Sequence, residues 1–151
     1  MDLGNLNTKA PAAEGAAMHL HHPVLGHALY TNKDGETKGA DEQGRLKEVS
    51  KADPVRVWVR GAEAPSVQKK LKVLRRKAVK RKPGAGGEAE DGVELVMAMI
   101  IRFEGLSIGG EPLADDEDGK RAFIEMSDDF VRQVTDFAQD SSNFFKDASA
   151  I

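Results

Sequence analysis

One stretch of this chain alternates strictly: in residues 54–60 (PVRVWVR), Val55, Val57 and Val59 fall on one side and Arg56, Trp58 and Arg60 on the other. Successive side chains of a strand point to opposite faces, so this pattern predicts a half-buried β-strand. Residues 17–30 (AMHLHHPVLGHALY) hold two shorter alternations separated by Pro23 and Gly26. They read as a strand, a tight turn and a second strand, with Met18 and Leu20 on one face. Pro65 then opens a helical pattern over 66–82, where Val67, Leu71, Leu74 and Ala78 form one narrow apolar stripe at i, i+4, i+7 and i+11. Beyond residue 92 every remaining element reads as helical. These are 94–103 (ELVMAMIIRF), a short helix capped by Asp115 or Asp116 and ending near Met126, and a last helix capped by Ser127. Between the first two, Gly109-Gly110-Glu111-Pro112 predicts a tight turn, because paired glycines accept positive φ and proline bars helix continuation.

Stretches rich in glycine and polar residues separate these elements. Residues 1–15 read as a flexible arm and 31–52 as a long polar loop. Residues 83–92 (PGAGGEAEDG) read as a linker, since four glycines and a proline disfavour a helix. The expected organisation is therefore α+β: an arm at 1–15, a small β lobe plus basic helix at 16–82, a linker at 83–92 and a helical lobe at 93–151. A length of 151 residues suits one ordinary domain or two small lobes.

Composition narrows the function classes. The chain has no cysteine, which excludes disulfides and thiolate metal sites. No run approaches the roughly 20 apolar residues that span a bilayer, and the N-terminus lacks the basic-then-apolar pattern of a signal peptide. The net charge of −3 hides a division: residues 1–87 carry 17 Lys/Arg against 9 Asp/Glu (+8), and residues 88–151 carry 5 against 16 (−11). Such asymmetry can dock one part on the other or join copies head to tail.

Four constellations are candidates for chemistry. His19, His21, His22 and His27 lie within nine residues, and the strand spacing of His19 and His21 suits two imidazoles on one metal. No third ligand completes a known pattern, so no metal site is assigned. Nine of the fourteen residues 69–82 are basic: Lys69, Lys70, Lys72, Arg75, Arg76, Lys77, Lys80, Arg81 and Lys82. They make a charged assembly surface or, alternatively, a nucleic-acid-binding helix, although no aromatic is interleaved for base stacking. The acidic run 115–118 lacks the glycine and distal glutamate of a calcium loop and suits helix capping. No nucleophile–base set or phosphate-binding loop is present, so neither an enzyme nor a cofactor is expected.

The fourth constellation is apolar. Every phenylalanine of the chain falls at or after residue 103, and Phe130, Val134, Phe137, Phe144 and Phe145 repeat at helical spacing. Three short helices bury little area alone, so part of this stripe is expected to stay uncovered and to bind a partner.

The same segments resemble a known family. The run G-L-x-x-x-G-E-P-L at 105–113 precedes an acidic short helix and then F-V-x-Q-V-x-D-F-x-x-D-x-x-N-F-F at 130–145. Near the start stand L-x-T-K-A-P-A-x-E-G-A at 6–16 and L-x-H-P-V-x-G-x-x-L-Y at 20–30. Together they resemble the tail assembly chaperones of long-tailed bacteriophages. After Gly-Glu-Pro-Leu that family usually continues Pro-Phe-Ser/Thr, where this chain has Ala114-Asp115-Asp116, and its counterpart of 31–52 is usually shorter. The resemblance implies a small β lobe followed by a helical part, shaped by Gly105, Leu106, Gly110, Glu111, Pro112 and Leu113, with Asn143 on the last helix. It also implies a role in the host cytoplasm, coating the tape-measure protein until tail tube protein polymerises around it. A homo-oligomer is expected, with no membrane and no nucleic acid. The other classes weighed are a nucleic-acid-binding accessory protein and a structural tail-completion component.

Overall fold

The computed structural model describes residues 6–31, 37–38 and 53–145. Its organising element is the alternating strand: β5 (Arg56–Val59) is the centre of an antiparallel sheet, between β1 (Ala16–His19) and β6 (Ile100–Glu104). Met18 pairs with Val57, and Val57 pairs with Phe103 on its other side. Val55, Val57 and Val59 are completely buried, each contributing roughly 1.5–3 kcal/mol of hydrophobic stabilisation. On the other face Trp58 Nε1 donates to Glu104 Oε1 at 2.8 Å, and the Arg102 guanidinium lies 4.4 Å from the Trp58 ring centre.

Three backbones meet in a closed corner at one end of this sheet. Leu20 N–H donates to Val55 O (2.9 Å), Val55 N–H to Leu29 O (3.0 Å) and Leu29 N–H to Leu20 O (2.9 Å). All three side chains are buried, so the corner satisfies polar groups that water cannot reach. It passes the hairpin on to a second sheet, in which β2 (Tyr30–Thr31) lies between β3 (Thr37–Lys38) and β4 (Asp53–Pro54). The predicted strand–turn–strand is thus present, with Met18 and Leu20 in the core. Most of the polar 31–52 stretch lies outside the described residues.

The helices cover one side of this framework. α2 (Pro65–Lys80) packs on α3 (Glu88–Met99), and α3 packs in turn on α4 (Glu117–Met126) and α5 (Asp128–Gln139). The α4 N-cap is Asp116, whose Oδ1 accepts from Gly119 N–H at 2.8 Å; Ser127 caps α5 as its sequence position suggests. A Cβ on Gly119 would collide with the Ala114 carbonyl, so glycine lets the α4 backbone approach the segment before it. Gly109 and Gly110, at φ 60° and 85°, turn the chain between β7 (Ser107–Ile108) and β8 (Glu111–Pro112). Two consecutive positive φ values match the right-handed twist of a hairpin.

Three expectations are corrected. Residues 94–103 are not one helix: α3 ends at Met99 and β6 follows at once. Between Glu94 and Arg102 the run LVMAMII is apolar without a break, which suits a buried strand as well as a helix, and no glycine or proline marks the change. The pairing need of β5 decides it, since without β6 a buried strand would have an open edge. Residues 88–92 are the first turn of α3 rather than linker; Glu88, Glu90 and Asp91 favour the positive end of the helix dipole there. Part of the expected arm, finally, is α1 (Lys9–Glu14), whose Ala12 is buried and accepts from Gly61 N–H at 2.9 Å. The segments on either side of 83–92 share one sheet.

Candidate partner-binding surfaces

The phenylalanine stripe divides into a sealed part and an open part. Phe123 is buried between Phe103 (ring centres 5.1 Å apart) and Phe130, which stacks parallel to it at 5.0 Å. Val134 is fully buried and Phe144 is 3% exposed. Helical spacing assigns both to a partner-binding stripe, but both are buried within this chain. A 3-10 turn at Ser141–Asn143 causes this for Phe144. Asp140 caps the turn, Asn143 Nδ2 donates to Phe137 O at 3.0 Å, and Phe144 folds back edge-on to Phe137. Phe130, Phe137 and Phe145 stay half-buried.

Beside Phe137 an open groove of about 380 Å³ runs between β1 and α5. Met18 and Phe137 give it an apolar floor; His19, His21, Arg132, Asp136 and Asn143 line its sides. Gln133 fixes its width. Its side-chain amide accepts from His21 N–H and donates to His21 O, both at 2.9 Å, much as a neighbouring strand would. Gln133 also donates to Asp129, and this bond, followed by that from Arg132, holds the Asp129 carboxyl below its ordinary pKa.

The histidines serve the hairpin. His19 Nε2 donates to Leu29 O at 2.7 Å, His21 Nδ1 donates to His19 O at 2.9 Å, and His22 Nδ1 accepts from the amides of Val24 and Leu25. Among the described residues no three His, Asp or Glu side chains converge as a metal site.

The basic helix is a solvent-facing surface for most of its length. Val67 and Leu74 are buried and Leu71 half-buried, but Ala78 is exposed, so the apolar stripe outruns the core. Of its nine cations seven are exposed; Lys70 and Arg81 are half-buried. Only Arg81 forms an ion pair among the described residues: its Nη2 donates to Asp91 Oδ1 at 2.7 Å, joining the loop after α2 to α3. That bond lowers the Asp91 pKa and raises that of Arg81. On the acidic side, Arg121 links α4 to Glu90 of α3 at 2.7 Å and lowers the Glu90 pKa. Lys120 is pushed down by burial and then by Arg60, with Asp115 and Asp116 opposing.

Sequence spacing missed the most exposed apolar side chains among the described residues, Val79 (86%), Val24 (84%), Leu25 (63%) and Met126 (59%). For Val79 a signal existed, because it lies off the Val67–Leu71–Leu74–Ala78 stripe. Among the described residues no helix is long and apolar enough to cross a membrane. No family model, curated protein or solved structure matches this chain.

Proposed function

We propose that this chain is a binding protein of phage tail assembly, a chaperone that keeps the tape-measure protein soluble until the tail tube polymerises. The resemblance of 6–30 and 105–145 to that family supports the identity of the partner. The observation that carries the binding role is the open end of the α5 stripe, where Phe137 borders the groove against β1. Such a groove accepts the apolar face of a long amphipathic helix, with Arg132 and Asp136 at its rim to pair with the partner's polar face. Release follows when tube subunits compete for the same apolar face.

Co-expression with the tape-measure protein of the same phage tests this. Soluble yield of that protein should rise with the wild-type chain, and rise less with Phe137→Ser or Phe145→Ser variants whose own melting confirms that they fold. Unchanged yield with the wild type contradicts the reading. A nucleic-acid-binding role is the second reading, favoured by the exposed cations of α2. It requires a gel shift that weakens steeply with salt.

A further inference from the structure

We propose that His19 and His21 form a binding site for a borderline divalent metal ion such as zinc. A carbonyl oxygen carries no proton, so a ring nitrogen bonded to one must be the donor. His19 Nε2 is bonded to Leu29 O at 2.7 Å and His21 Nδ1 to His19 O at 2.9 Å. In the neutral rings the other nitrogens, His19 Nδ1 and His21 Nε2, therefore hold lone pairs. A ring that donates one nitrogen to a backbone carbonyl and keeps the other as a lone pair is the state in which histidine ligates a metal. Here the fold holds two neighbouring rings in it.

Their positions are fixed as firmly as their tautomers. His19 pairs across the sheet with Arg56, and His21 is bonded through both its N–H and its C=O to the Gln133 side chain at 2.9 Å. Two residues apart along β1 and its continuation, they share a face, and both line the groove beside Phe137. The ring centres are 5.8 Å apart. Two imidazoles with metal–nitrogen bonds of about 2.0–2.1 Å at the tetrahedral angle would have centres about 5 Å apart. A small rotation of the exposed His21 ring closes that difference.

The surrounding charge admits a cation. Arg132, in the same groove, is paired with Asp129 at 2.6 Å and Asp136 at 3.3 Å, and Arg56 with Glu104 at 3.8 Å. Three carboxylates thus outweigh two guanidiniums. Among the described residues no third His, Asp or Glu side chain converges on the rings, so water fills the remaining positions and the site stays open to exchange. The same reasoning excludes His22. Its Nδ1 accepts from Val24 N–H at 3.1 Å and Leu25 N–H at 3.0 Å, which commits its lone pair to the turn. Imidazole donors suit zinc, nickel and copper, whereas magnesium takes oxygen ligands. The site goes beyond the chaperone reading and does not depend on it.

Calorimetric titration of the full, untagged chain with zinc chloride tests the proposal. One zinc ion should bind per chain, and magnesium chloride at the same concentrations should not bind. His21→Gln and His19→Gln should each weaken zinc binding at least about tenfold, while His22→Gln keeps the wild-type affinity, with circular dichroism confirming that all three fold. In nitrogen NMR spectra, zinc should move the His19 Nδ1 and His21 Nε2 signals most. Unchanged affinity in His19→Gln and His21→Gln, equal loss in His22→Gln, equal binding of magnesium, or a wild-type dissociation constant above about 1 mM would each overturn it.

Discussion

α2 and α5 are both amphipathic helices, yet they are held differently. α5 carries its apolar face into the core from Phe130 to Ala138, with Val134 sealed and the 3-10 turn packing Phe144 behind it. α2 is anchored by Val67 and Leu74, then runs on with Ala78, Val79 and its cations in solvent. An apolar stripe read from sequence says which side of a helix faces inward, but it does not say how far the core extends beneath it. The end of α5 leaves Phe137 half-buried beside the groove, and the outer half of α2 leaves Val79 and its cations in solvent.

The largest break in that comparison comes at the aromatic core. Phe123→Ala removes the ring between Phe103 and Phe130 and should cost about 3–5 kcal/mol in urea unfolding. A loss near zero would mean the stack is not the anchor of α4 and α5. Gly119→Ala forces the α4 backbone away from Ala114. It should cost about 1–3 kcal/mol despite the better helix propensity of alanine. Stabilisation there would show that the close approach is dispensable. Val79→Ala, by contrast, should change unfolding by less than about 0.5 kcal/mol, because its side chain is 86% exposed. A loss as large as that of Phe123→Ala would place Val79 in the core.

Acid gives the subtlest test. The Arg81 bond depresses the folded-state pKa of Asp91 below its ordinary 3.8. The stability it contributes is thus present above that value and lost as pH falls through the depressed one. Amide resonances around residues 81–91 should shift in that range, and Asp91→Asn should abolish the transition. Identical titration in the variant would remove the pair from the account.

Legibility in the sequence followed the strength of local signals. The valine alternation, Pro65 and the Ser127 cap each have a short-range physical cause, and each stands where that cause places it. The passage from α3 to β6 has no local marker; it depends on β5, some forty residues earlier in the chain. Phe144 was illegible for a related reason. Its burial depends on a turn stabilised by Asp140 and Asn143, which helical spacing alone does not encode. Gln133, which closes one side of the groove by bonding to His21, was invisible because its partner is 112 residues away.

Hydrogen exchange on the free protein and on its complex with the tape-measure protein tests the binding role most directly. The account predicts new protection at residues 18–21 and 132–137, where β1 and α5 border the groove, and little change in the outer half of α2. Protection confined to α2, or none at all, would contradict it.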